Sequence, residues 1–220
     1  MIKRLNAIVI KTTDYKESDR IITLFSAEEG KTSAVMRGVK KKDAKMKFAG
    51  QLFNYGEYEI IMPSGTVSGC NQKDSFFSLT SDYEAFLAAC VVAEVLSGDF
   101  TGDETAQVLF TEALKALTAL RIGAAPSAVI ALFLHRGTQI LGFGSDSVSY
   151  LLTDNKLCRI YGGFSSRIEN AVSILEKDGY SADFKDKDEL QILLELFALF
   201  YEQNITGLKT LDEFNALMNS

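Results

Sequence analysis

The hydrophobic period of this chain changes once, near Ser81. Before that point the apolar residues fall in short β-type runs separated by turn signals, and after it they recur at helical spacing. The order implies an α+β chain, with a small β unit over residues 1–80 followed by an all-α unit over 81–220.

The β part contains five strand signals. Leu5–Ile10 is β-branched and apolar on both faces, as a strand of a small closed barrel should be. Arg20–Phe25 and Lys31–Met36 follow, joined by Ala27-Glu-Glu-Gly30, where Gly30 suits the positive-φ position of a hairpin loop. Leu52–Met62 carries the aromatics Phe53, Tyr55 and Tyr58 and ends before Pro63-Ser-Gly65; Val67–Leu79 reads as a last strand with its connection. Five short strands in about 80 residues predict an OB-type barrel.

From Ser81, a plausible N-cap, helices are predicted over Asp82–Ser97, Asp103–Leu120 and Ser127–Leu141, the last opened by Pro126 and apolar nearly all round. Residues 142–163 read as irregular with a strand signal at Tyr150-Leu-Leu, and Arg167–Lys177, Asp188–Gln203 and Leu211–Met218 as further helices. A hydrophobic content of 47% and a charged content of 24% are those of an ordinary soluble globular protein. The apolar run Ala7–Ile10 is too short for a signal peptide, and Ala85–Ala93 too short for a membrane span. Three scattered cysteines without a CxxC pair fit a reducing cytoplasm.

Charge divides the chain unequally. Residues 1–50 hold 12 Lys/Arg against 6 Asp/Glu, while the remaining 170 hold 11 against 23. Six of the cations crowd into Arg37-Gly-Val-Lys40-Lys41-Lys42-Asp-Ala-Lys45-Met-Lys47. A cationic segment on an acidic protein points to a polyanion partner such as nucleic acid; a solvated lysine loop is the alternative. Lys11, Lys16 and Arg20 flank the first turn, and with Lys31 and Arg37–Lys47 they form the expected DNA-binding set, contacting phosphates without reading sequence. Phe48, Phe53, Tyr55 and Tyr58 could stack bases or fill the barrel, with Phe48 and Tyr15 the freer positions.

Catalytic signals are thin. Gly30-Lys31-Thr32 resembles the tail of a phosphate loop, but Phe25 stands where its first glycine is required. The single histidine, His135, lies within an apolar helix and reads as a packed imidazole, and no cofactor motif is present. A nuclease would need a carboxylate cluster near the basic region, where Asp14, Glu17 and Asp19 are the only candidates. The expectation is therefore a protein that is not an enzyme and carries no cofactor.

The stretch from Ala7 to Lys40 resembles the opening of the bacterial recombination mediator family RecO. It has Tyr15-x-Glu17-x-Asp19 after the first strand, Gly30-Lys31 after the second, and the basic Arg37-Gly38-Val39-Lys40. Phe133 with Leu141-Gly142-Phe143, and Tyr201-x₃-Ile205-x-Gly207-Leu-Lys-Thr-Leu211, are similar to later family elements, so the likeness is dense over 5–50 and sparser beyond. The resemblance implies an N-terminal OB fold joined to a helical domain, in a cytoplasmic, nucleoid-associated protein of recombinational repair. It would bind single- and double-stranded DNA, anneal complementary strands, and act with RecR to load RecA on strands coated by single-strand-binding protein. The C-terminal tail of that binding protein would dock on the helical domain, with Arg121 and Arg136 as candidate cations for its carboxylate. The alternative is an OB-fold protein-interaction module without direct DNA binding.

Many family members hold zinc with four cysteines in the stretch equivalent to residues 144–168. Here that zinc-finger-like region has only Cys158, so no structural zinc is expected, and packing of Tyr150, Leu152, Ile160 and Phe164 is expected to hold it instead.

Overall fold

Five strands close into a barrel in the order β1-β2-β3-β5-β4, where β1 is Ile2–Tyr15, β2 Asp19–Ser26, β3 Gly30–Met36, β4 Asn54–Ile61 and β5 Thr66–Ser75. The structure, a computed structural model, describes residues 1–98, 103–144, 148–152, 155–184 and 187–218. Two compact units are present: Met1–Ser78 with Asp99–Thr111, and Leu79–Gly98 with Glu112–Ser220.

β1 is much longer than its apolar stretch. A bulge between Val9 and Lys11 bends it, so that Ile2–Ile8 pair with β4 while the polar continuation to Tyr15 pairs with β2. Closure comes from one parallel contact: Val35 on β3 stands opposite Thr66 on β5, and its N–H donates to the Gly65 carbonyl at 2.8 Å. Gly30 has φ +66, the left-handed conformation its hairpin position requires.

Alternation sorts the barrel side chains. Leu5, Ala7, Val9, Ile22, Leu24, Ala34, Met36, Tyr58, Ile60 and Val67 form the interior cluster, each large side chain contributing about 1.5–3 kcal/mol by burial. On the outer side Ile8 stands between Phe25 and Tyr55, and the Tyr55 ring meets Phe110 edge-on with centroids 5.8 Å apart. The Tyr58 hydroxyl, buried, donates to the Ala49 carbonyl at 2.8 Å and accepts from Asn54, which accepts in turn from Gln72 at 2.7 Å. β5 stops at Ser75, short of the predicted Leu79; a 3₁₀ turn over Phe77–Ser81 follows and buries Leu79.

The helices are α1 (Tyr83–Leu96), α2 (Asp103–Arg121), α3 (Pro126–Ile140), α4 (Asn155–Tyr161), α5 (Ser165–Asp178), α6 (Lys187–Asn204) and α7 (Lys209–Met218). Asp82, rather than Ser81, is the N-cap of α1; its carboxylate accepts from Ala85 N–H at 3.0 Å, while Ser81 closes the preceding 3₁₀ turn. α3 opens on Pro126, is buried without interruption from Ala128 to His135, and packs against α1, α5 and α6.

Residues 142–163 depart from the sequence expectation. The predicted strand at Tyr150 is a 3₁₀ turn over Val148–Leu152, and α4 was not anticipated. Leu151 is fully buried and Tyr150 mostly so, whereas Ile160 and Phe164 are 48% and 38% exposed. Among the described residues of the segment, Tyr150 and Leu152 are packed as expected on either side of the buried Leu151, whereas Ile160 on α4 and Phe164 in the turn after it are more exposed and do not anchor it. Among the described residues, no helix is long and apolar enough to cross a membrane.

Candidate nucleic-acid interface

The basic segment between β3 and β4 is a chain of tight turns. Lys41 N–H donates to Gly38, Ala44 to Lys41, Lys47 to Ala44, and Gly50 to Lys47, so each turn hands the chain to the next. Its apolar members face the barrel: Val39 and Ala49 are buried in the core, and Met46 and Phe48 pack against it. Lys41, Lys42, Lys45 and Lys47, between those anchors, stand exposed. The alternation of apolar anchor and lysine turns one side of the segment into the barrel and the other into water.

Both ends of the segment are pinned. Gly38 N–H donates to Asp19 Oδ1 at 2.8 Å, and Lys40 N–H to the Ser18 carbonyl at 3.0 Å. At the far end Arg20 Nη1 donates to the Gly50 carbonyl at 2.9 Å, beside the Tyr58–Ala49 bond. A Cβ on Gly50 would come within 3.1 Å of the Met36 sulfur, so this turn lies close against the barrel.

The ten expected DNA contacts therefore occupy different environments. Arg20 and Lys40 share the Asp14 carboxylate at 3.2 and 2.9 Å, with side chains only 27% and 30% exposed. The Lys40 hydrogen bond, with a smaller contribution from Arg20, outweighs desolvation and holds the Asp14 carboxyl below its ordinary value. Lys11, Lys31 and Arg37 are exposed; register puts Lys11 and Lys31 on the outer face of β1–β2–β3, and Arg37 directly follows β3. Lys31, five residues along β3 from Met36, is about 17 Å from the basic segment.

Beside Arg37 lies a polar cleft of about 270 Å³. Tyr15 at the end of β1 and Lys16 in the β1–β2 loop after it, Asp19 on β2, Val35 on β3 with Arg37 just beyond it, and Ser64 in the β4–β5 loop with Thr66 at the start of β5 line it. These two loops and the β2–β3 face are where OB folds bind oligonucleotides. Sequence reasoning found Tyr15, Lys16 and Arg37 but not Ser64 or Thr66. Only the parallel closure of β3 on β5 brings Pro63-Ser-Gly65, legible as a turn, to that place. Tyr15 is 41% exposed, with Lys16 Nζ 5.1 Å from its ring centroid. Of the other aromatics weighed for stacking, Phe53 and Tyr58 are buried, Tyr55 is engaged with Phe110, and Phe48 packs on the barrel core.

In the helical unit, Arg136 is committed to an internal network. It donates to Glu112 at 2.8 Å and lies over the Tyr180 ring at 5.2 Å, while Lys115 donates to the other Glu112 oxygen at 2.6 Å. Burial opposes ionisation of Glu112, but the two cations outweigh it and lower its pKa. The same surroundings push the Tyr180 hydroxyl up, through burial first and the Glu112 charge second. Arg121 is exposed at the end of α2, next to Ile122, which is 78% exposed. His135 is packed, as expected: Nε2 is 3.2 Å from Glu176 and Nδ1 3.4 Å from the Tyr150 hydroxyl. Burial lowers its pKa against the opposing pull of Glu176. A tetrahedral thiolate site does not fit residues 144–168, whose one cysteine, Cys158, is an exposed thiol.

Comparison with known proteins agrees with the barrel. The family described as Recombination protein O N terminal matches residues 1–74. The DNA repair protein RecO of Desulfitobacterium hafniense (strain DSM 10664 / DCB-2) is 40% identical over 93 residues, 41% of this chain and 34% of that protein. Those of Bacillus cereus (strain AH187) and Bacillus anthracis (strain CDC 684 / NRRL 3495) are each 45% identical over 65 residues, 30% of this chain and 26% of theirs. The matched stretch thus spans about a third or less of the length of these relatives.

Proposed function

We propose, from the match of residues 1–74 to the family described as Recombination protein O N terminal, that this protein is a DNA-binding recombination mediator in repair. The observation that carries the reading is the basic segment itself. Its apolar residues are anchored in the barrel, its lysines stand exposed, and it follows directly on β3, whose outer face bears Lys31.

Lysine and arginine heads on a rigid surface neutralise backbone phosphates without engaging base edges. Strands held in this way keep their pairing edges available, which is the condition for annealing complementary single strands. No covalent step is involved. The proposal extends to RecR and to assistance of RecA loading on strands covered by single-strand-binding protein, whose acidic C-terminal tail would dock on the helical unit. Arg121, exposed at the end of α2, and Arg136 are the cations proposed for the carboxylate of that tail.

Fluorescence anisotropy with a labelled oligonucleotide over a salt series tests the core of the reading. With roughly six phosphates neutralised, log K falls against log salt with a slope of about −4 on single strands. A flat salt response, or no binding, overturns it and leaves an OB-fold protein-interaction module in its place.

A further inference from the structure

We propose that the polar cleft between the β1–β2 and β4–β5 loops seats one unpaired nucleotide and makes the barrel favour single strands over duplex. The inference rests on the reading above, that the barrel binds nucleic acid, and adds which form it selects and where.

Size comes first. The cleft holds about 270 Å³, just under the range of about 300–1,000 Å³ typical of small-molecule sites, which is the scale of one small ligand. Its chemistry is of four kinds: a ring, two cations, a carboxylate and a pair of hydroxyls. Tyr15 presents a partly exposed ring at the end of β1, a stacking platform that needs the face of a base. In a duplex those faces are covered by neighbouring base pairs, so only an unpaired base can use it.

Lys16 and Arg37 both line the cleft and supply positive charge suited to the phosphates that flank the base. Lys16 adopts φ +54, the left-handed conformation that residues other than glycine rarely take, and its ammonium lies over the Tyr15 ring. An arriving base replaces that ammonium on the ring and leaves it to a phosphate. Asp19 also lines the cleft, with Oδ1 accepting from Gly38. A carboxylate there disfavours a bare phosphate inside and suits the N–H groups of a base. Ser64 and Thr66, hydrogen-bonded to each other at 3.2 Å, form the opposite polar wall.

The test compares a labelled mixed-sequence single strand with its duplex, using the full chain and anisotropy. Tyr15→Ala should weaken single-strand binding by about 5- to 100-fold, the range for one lost stacking contact, and leave duplex binding unchanged. Tyr15→Phe, which keeps the ring, should retain both, and circular dichroism should show the Tyr15→Ala fold intact. The double variant Lys41→Glu/Lys42→Glu should weaken both ligands together. If Tyr15→Ala changes both equally, or neither, the cleft assignment is overturned while nucleic-acid binding by the barrel stands. If the unmodified protein binds neither strand form, both proposals fall together.

Discussion

Lys40 Nζ lies 2.9 Å from Asp14 Oδ2, so the first of three consecutive lysines is held against the barrel while Lys41 and Lys42 stand in water. Reversing charge at Lys41 and Lys42 should reduce the salt slope of single-strand binding by about 1.4 and leave the melting temperature unchanged. Lys40→Glu should in addition lower it, because Asp14 and the new carboxylate would then face each other. Equal melting temperatures for both variants would contradict the distinction.

Glu112 gives the helical unit an acid-labile joint. Its folded pKa is depressed below the ordinary 4.5, so its contribution is present in full above that value and is lost as pH falls through the lower folded value. Thermal unfolding followed from neutral pH down to pH 3 should show this loss. Glu112→Gln should cost on the order of 2 kcal/mol near neutrality, since Arg136 is about a third exposed and partly solvated. The variant's deficit should narrow in acid; a constant deficit at every pH would exclude the ion pair as its cause.

Gly137 and Tyr201 are coupled by space. The Tyr201 hydroxyl donates to the Leu134 carbonyl at 3.0 Å and fills the place where a Cβ on Gly137 would stand. Gly137→Ala should therefore destabilise by about 1–3 kcal/mol through overpacking, and Tyr201→Phe by about 1 kcal/mol through the lost hydrogen bond. Combined, the two should cost less than their sum, because removing the hydroxyl makes the room the methyl needs. Strict additivity in chemical denaturation would show that the two do not share that space.

Gly56 sits hard against the paired strand: a Cβ there would stand 2.6 Å from the Asn71 carbonyl oxygen. Gly56→Ala should destabilise by at least 2 kcal/mol, roughly as overpacking against a backbone that cannot yield does. Gly65→Ala, at φ +64 but with nothing nearby, should cost about 1 kcal/mol. Similar losses at both positions would mean that β5 can shift away from β4.

The five strands and the main helices were legible because their signals are local: β-branched runs ending at Gly30 or Pro63, and 3.6-residue spacing from Phe86 onward. Length was less legible. The polar half of β1 is a strand only because β2 pairs with it, and pairing leaves no mark in its own residues. α4 escaped notice because residues 155–161 carry no sustained apolar stripe, and Asp82 displaced Ser81 as cap because the preceding turn reaches to Ser81.

By itself the sequence determined that a small β unit precedes a helical one, and that positive charge gathers on the former. Composition and periodicity belong to neighbouring residues and survive without a fold. Only the tertiary structure decided which cations face solvent and which are bound, as Arg20 and Lys40 are by Asp14, and that Arg136 turns to Glu112. It alone brought residues 15–19, 35–37 and 64–66 around one cleft. Those choices depend on barrel closure and helix packing, which join residues far apart in the chain and so cannot be read from any one stretch of it.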